Sequence, residues 1–274
     1  MIGADGLNSR TRKMMVGPGA DDGFRPFKGT FIGYFTMPEP MKEGEEYVAT
    51  AYIAPGGKGL ALRRSHPDKV QVYIGGVTDA FDNVPRGDVK AEKAAMTKLF
   101  QNTGWESEKV LRSMNTDNDF YLERMGMVQL DRWFRGRVAL AGDAAWCPTA
   151  NTGMGTTSAM VGAYILAGEI SRQFGRANTK GASNNKNTTE NITKALTAYD
   201  TKFRPFMDYV QKDVPGSGGG YGWKFSLLTS SLGVSLLYFA AGLVSFFKIN
   251  FVGMMLKEKV DGWELPDYEV LLQD

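Results

Sequence analysis

The chain is poor in the residues that build metal centres and nucleophilic triads, with one cysteine and one histidine among 274 residues. A single thiol excludes an internal disulfide framework, and one thiol with one imidazole is too few soft ligands for a structural zinc site. A Ser/His/Asp triad would have to use His66, which stands in RRSHPDK, where Ser, Pro and Asp read as a turn between two strands. Cys147 precedes Pro148 with no histidine or cation cluster beside it, the setting of a buried, unreactive thiol. Charge of one sign is also missing. The 32 basic and 30 acidic residues leave a net charge of +2, which gives no electrostatic footprint for nucleic acid. No apolar leader opens the sequence, so a reducing, cytoplasmic setting is expected.

What is present is ordinary globular material: hydrophobic residues at 43% and charged residues at 23% argue against disorder. From Phe27 to Val77 the segments GTFIGYFTM, EYVATAYIA, KGLALRRS and KVQVYIGGV are rich in β-branched and aromatic residues and separated by short breaks. They predict an antiparallel sheet. Helices are expected over about Val89 to Asn102 and Glu106 to Met114, and a short buried strand over Arg137 to Ala141. A helix is then expected from roughly Gly153 to Phe174, with Met160, Val161, Tyr164, Ile165, Ala167 and Ile170 spread round it, which implies burial on most sides.

The Asn/Thr/Lys-biased stretch from Arg176 to Thr193 reads as a flexible loop. Beyond it, Ile192, Leu196, Tyr199, Phe203, Phe206 and Val210 recur at helical spacing, with Pro205 expected to kink or break the helix. Phe225 to Phe247 carries no charge and is long enough to cross a bilayer, but Ser, Thr and Gly dilute it and Lys224 and Lys248 flank it. It is expected either to contact a membrane or to dock on the protein's own surface. Arg63 and Arg64 are adjacent on a strand and must point to opposite faces, while Tyr52 and Tyr73 stay open between roles.

Two stretches carry chemistry. AGDAAWCPTANTGMGTT, Ala141 to Thr157, joins a buried strand to a long helix through an Asp, a Pro and two glycines. Ligands of open α/β sheets bind at such strand ends. Gly153 and Gly155 would let a ligand approach the backbone, the helix amino end favours electron density, and Asp143 suits a polyol hydroxyl. Gly153, Gly155 and Ser158 match G-x-G-x-x-G only superficially, because about a dozen residues separate them from the strand.

The second stretch is GADGLNSRTR, from Gly3. Together, in this order and with a sheet between them, the two resemble the G-A-D-G-x-x-S-x-x-R and G-D-A-A-x-x-x-P-x-x-x-x-G-x-G segments of class A flavin-dependent monooxygenases, the aromatic hydroxylases typified by p-hydroxybenzoate hydroxylase. ALTAYDTKFRPFMDYVQ is similar to that family's Y-x-x-x-R-P helix.

The resemblance implies a mixed α/β (α+β) chain with part of the FAD-binding fold, an antiparallel substrate-side sheet and C-terminal helices. It implies FAD-binding segments at 1–23 and 131–213, a substrate-side domain at 24–130 and a helical extension at 214–274. FAD is the implied cofactor and NAD(P)H the reductant, with O2 and a small aromatic or polycyclic molecule as substrates. Carried over by position, Asp143 would accept from the ribityl chain with Gly142 making room, Pro148 would lie near the reactive ring edge, and Gly153, Met154 and Gly155 would face its pyrimidine side. Asp5 and Gly6 would support the cofactor region, and Ser9 and Arg12 would fix their segment. The family's opening G-x-G-x-x-G half has no counterpart here. The expectation is therefore a truncated hydroxylase needing an amino-terminal half, or else a non-catalytic, membrane-associated remnant.

Overall fold

The computed structural model describes residues 1–149, 152–174, 185–212, 214, 230, 232–236, 238, 262–268 and 271. It divides into two compact units, the first from Met1–Pro26, Gly126–Gly219 and Lys257–Asp274, the second from Phe27–Met125 and Gly220–Leu256.

The first unit carries a three-stranded sheet of β1 (Ile2–Gly3), β8 (Val138–Leu140) and β7 (Phe134–Arg135), in the order β1-β8-β7. The β1 and β8 strands run parallel, with Gly3 opposite Leu140. Helix α1 (Arg10–Val16) follows β1 after a turn capped by Ser9, and α4 (Asp143–Trp146) follows β8 directly. Two long helices, α5 (Gly155–Phe174) and α6 (Asn185–Gln211), complete it. Their shared core is aromatic: Trp133, Trp146, Tyr199 and Phe203 are buried and their rings lie 4.8 to 6.0 Å apart. At Gly162 a Cβ would fall 2.5 Å from the Trp146 ring and 2.8 Å from Phe203, so only glycine lets α5 sit this close.

The helix α5 is not buried on most sides. Its buried positions are Ser158, Gly162, Ile165, Leu166, Gly168 and Glu169, whereas Met160 is 69% exposed and Ala167 is exposed. Bulky rings from elsewhere choose the glycine face, which a count of apolar residues ranks low. The expected loop from Arg176 to Thr193 is also corrected in part, because α6 begins at Asn185 and continues through Pro205. A polar, Asn-rich end is helical because it extends a helix already anchored by Leu196, Tyr199 and Phe203.

The second unit holds a five-stranded sheet in the order β3-β4-β5-β2-β6, from β2 (Phe24–Pro38), β3 (Ala49–Ala54), β4 (Lys58–His66), β5 (Lys69–Val77) and β6 (Tyr121–Val128). The pairs β3–β4, β4–β5 and β5–β2 are antiparallel, as consecutive strands separated by short breaks predict. Helices α2 (Val89–Phe100) and α3 (Ser107–Thr116) cover one face, where Phe31, Phe35, Ile74, Met96, Phe100 and Met114 form the core. His66 closes β4, and its Nδ1 accepts from the Asp68 amide, as the turn reading requires. Arg64 is buried and bonded to Glu45 and the Glu39 carbonyl, while Arg63 is exposed on the other face.

Among the described residues no helix is long and apolar enough to cross a membrane. Most of the uncharged 225–247 stretch lies outside the described residues.

Candidate functional site

The first unit brings the two motif stretches together. Strand pairing sets Gly3 beside Leu140, and the Ala141 amide donates to the Gly3 carbonyl at 2.9 Å. A Cβ at Gly3 would lie 2.5 Å from the Thr11 methyl, so glycine allows β1 and α1 to touch. The turn after β1 is closed by Asp5, which accepts from the Ser9 hydroxyl (2.6 Å), the Thr11 amide (3.0 Å) and the Thr11 hydroxyl (3.1 Å). Burial pushes the Asp5 carboxyl up, but these hydrogen bonds outweigh it and hold the pKa at about 2. Gly6 supplies the positive φ of 78° that this turn needs.

Arg12 locks the two stretches to each other. It is 1% exposed, and its guanidinium donates to the Ala144 carbonyl at 3.1 Å and to the Leu7 carbonyl at 2.8 Å, with Asp22 at 3.3 Å. Ser9 is fully buried and its oxygen caps α1 by accepting from the Arg12 amide. Both side chains therefore act inside the protein and fix the segment; neither presents an atom at the surface.

The second stretch leaves its groups open. Gly142 turns the chain at φ 61° and ψ −147°, a conformation that favours glycine, and its carbonyl accepts from the Ala145 and Trp146 amides to start α4. Asp143 stands exposed at that start and has no hydrogen bond or ion pair among the described residues. The loop behind it is held from inside, where the Gln211 side-chain amide donates to the carbonyls of Val128, Trp146 and Cys147. Pro148 and Cys147 are buried.

Thr149 adopts φ 69°, unusual for a β-branched residue, and its buried hydroxyl has no partner among the described residues. The Thr149 carbonyl accepts from the Thr152 hydroxyl, and that hydroxyl in turn accepts from the Met154 amide. Gly153 and Gly155 then open α5, and a Cβ at either would meet nothing within 4 Å. The first turn of α5 carries no acidic side chain, so the positive end of its dipole is left unneutralised.

Thr149, Thr152 and the buried Ser158 hydroxyl, which has no partner among the described residues, lie in the same stretch outside the motif's glycine, proline and aspartate positions. The Thr/Asn-rich run between Pro148 and Gly153 signals a turn, but spacing alone does not reveal a strained threonine. No group of His, Cys, Asp or Glu among the described residues can hold a metal ion. An exposed carboxylate, a glycine-lined helix entry and a helix end without an acidic side chain thus meet in one stretch, the class of arrangement in which helix amino ends bind electron-rich ligands.

Comparison with known proteins makes the class specific. The chain belongs to the FAD binding domain family, whose profile matches residues 1–196. It is 42% identical over its whole length to an FAD-dependent monooxygenase, asL4, of Sarocladium schorii, covering 64% of that protein. A second relative there, asL6, is 32% identical over 99% of this chain and 60% of its own length. Among solved structures, tetracycline destructase Tet(55) matches with a TM-score of 0.67 and 25% identity over 97% of this chain and 62% of that one. The chain thus spans less than two thirds of the length of these relatives.

Proposed function

We propose that this chain holds the flavin-ring and ribityl part of FAD, and that it works within an NAD(P)H-dependent monooxygenase of small aromatic or polycyclic molecules. The observation that carries the reading is Asp143, exposed and without a hydrogen bond or ion pair among the described residues, on the Gly142 turn next to the open Gly153–Gly155 entry of a 20-residue helix. When bound, FAD supplies the redox chemistry, accepting electrons from NAD(P)H and activating O2.

The residues present fit such a group. Asp143 accepts from a ribityl hydroxyl, and Gly142 keeps side-chain bulk away from that contact. The missing Cβ atoms of Gly153 and Gly155 let a flat ring reach the backbone amides at the start of α5, where the helix end favours electron density on ring oxygen and nitrogen. The orphaned Thr149 hydroxyl adds a donor in the same loop, and buried Pro148 shields the ring edge from water. Arg12 and Ser9 hold the frame. No side-chain acid or base is required of the chain, because the cofactor carries the bond-making steps.

Titration of the purified chain with FAD, followed by quenching of flavin fluorescence, tests the reading. Saturable one-to-one binding that weakens about tenfold in Asp143→Ala is expected, the size of one hydrogen bond to a charged group. Binding that is absent, or indifferent to Asp143, refutes it.

A further inference from the structure

The outer strands of the five-stranded sheet differ in charge. On one edge, β6 carries Glu123 and Arg124, and charged side chains discourage pairing with a further strand. On the other edge, β3 and the two residues before it read YVATAYIA, Tyr47 to Ala54, with no charge, proline or glycine. An uncharged run with Tyr, Val, Thr and Ile has the composition of segments that pair with copies of themselves. Its side chains are open: Tyr47, Val48 and Ile53 are 62%, 49% and 37% exposed, and Ala49 and Ala51 are exposed as well.

Hydrogen bonds fix which backbone groups of β3 look outward. The Val48 carbonyl accepts from the Arg64 amide, so Val48 turns its polar groups towards β4. Backbone groups alternate sides along an antiparallel strand. Those of Thr50, Tyr52 and Ala54 therefore also face β4, and those of Ala49, Ala51 and Ile53 face the side where no strand lies among the described residues. Ile53 agrees with this assignment. Its amide donates to the Tyr238 hydroxyl at 3.0 Å, and the same hydroxyl donates to the Ile53 carbonyl at 3.3 Å. Tyr238 is 185 residues further along the chain, in the C-terminal part of the same unit. One phenol thus satisfies both groups that an incoming antiparallel strand would take at Ile53.

We propose that Tyr238 is a plug on the β3 edge, and that the unplugged edge pairs antiparallel with β3 of a second copy of this chain. The outward residues set the register. Pairing centred on Ala51 places Ala51 against its own counterpart and Ala49 against the counterpart of Ile53, so each pair exchanges N–H and C=O groups. Small side chains then meet small or branched ones, and no like charges are opposed. Because Ile53 is one of the outward residues, the pairing is complete only when both copies release Tyr238. Edge strands need such protection against association, and β3 has no charge of its own to provide it. The proposal goes beyond the oxygenase reading and stands on the second unit alone.

The test is sedimentation equilibrium of the full chain over a concentration series, with amide hydrogen exchange read on the peptide covering residues 47–54. Tyr238→Phe keeps the ring and removes the plug's hydrogen bonds. It should tighten self-association about a hundredfold, because each of two copies loses a pair of hydrogen bonds worth about tenfold. Exchange in 47–54 should slow as its concentration rises. Adding Ala51→Pro removes the central outward amide, a change that an edge strand tolerates. Adding Ala51→Lys instead leaves the backbone intact and opposes like charges at the two-fold. Either addition should return Tyr238→Phe to the parent's association, with the parent's circular dichroism kept throughout. Unchanged association in Tyr238→Phe overturns the proposal, as does a parent already protected in 47–54 in a concentration-dependent way. Association that persists in the folded Tyr238→Phe, Ala51→Lys variant overturns it too, because the copies then meet elsewhere.

Discussion

Replacing Arg12 by methionine tests whether the two motif stretches are one mechanical unit. The side chain is buried, and its guanidinium donates to the Ala144 and Leu7 carbonyls. Hydrogen bonds to a charged group contribute about 1.5–3 kcal/mol each. Asp22 is the weaker partner, at 3.3 Å from the same nitrogen that meets the Leu7 carbonyl at 2.8 Å. Methionine fills most of the volume but leaves two carbonyls without their donor, for a loss of about 3–5 kcal/mol. For a chain of this size each kcal/mol shifts the melting temperature by about 2–4 °C, so thermal denaturation should fall by roughly 6–20 °C. Arg12→Lys retains the charge but not the planar fork, and should recover only part of the loss. FAD affinity should fall in parallel, since Ala144 is in the first turn after Gly142. A melting shift of Arg12→Met under about 2 °C would refute the coupling.

Three further outcomes follow from the same geometry. Asp143→Ala should weaken FAD binding about tenfold yet change stability by less than about 0.5 kcal/mol, because the carboxylate is exposed and has no partner among the described residues; a clear drop in denaturant midpoint would contradict its assignment to the ligand. Gly162→Ala should cost about 1–3 kcal/mol by pressing a methyl into Trp146 and Phe203, and an unchanged urea midpoint would show that α5 can shift away freely. Asp5 has a folded-state pKa of about 2 against an ordinary 3.8, so its contribution is present above 3.8 and is lost as pH falls from there towards 2. Asp5→Asn should flatten that acid limb, and an identical limb in the variant would place the acid sensitivity elsewhere.

Local pattern was enough for most elements of the fold. The β-branched and aromatic content of GTFIGYFTM and KVQVYIGGV marks two strands, which pair side by side with one face on helices. The helices after Asp88 and Glu106 were legible from apolar spacing. Contacts distant in sequence were not legible. Glu169 is 3% exposed on α5 because Lys202, Arg172 and the Tyr268 hydroxyl surround its carboxylate, a set spread over 99 residues. Tyr268 also presses on Gly168, where a Cβ would stand 2.4 Å from its ring. These partners turn the glycine and glutamate side of α5 inward and leave Met160 outside, against the apolar count. The same limit applied at Arg12, which reads as a segment-fixing arginine in GADGLNSRTR but whose partner at Ala144 lies 132 residues away.

The site itself divides along a physical line between groups that are satisfied and groups that are not. Asp5, Ser9, Gln211 and the two terminal nitrogens of Arg12 spend their hydrogen bonds on the protein, and together they clamp the loop through Leu7, Ala144, Trp146 and Cys147, although Arg12 Nε is buried without a partner among the described residues. The side chains of Asp143 and Thr149 have no partner among the described residues, and a Cβ at Gly153 or Gly155 would meet nothing within 4 Å. A buried hydroxyl without a partner and a left-handed threonine are costly to keep, at about 1–3 kcal/mol each, whereas the exposed Asp143 carboxylate is hydrated. A rigid frame can hold them in place, and a ligand rich in hydroxyl, carbonyl and ring nitrogen groups relieves the cost on binding. The motif letters alone do not separate the two sets, since Asp5 and Asp143 each follow a short strand and each stand beside a glycine. The difference arises because Thr11 and Ser9 lie close enough to close the first turn on its carboxylate, while the second turn runs straight into α4 and leaves its carboxylate facing out.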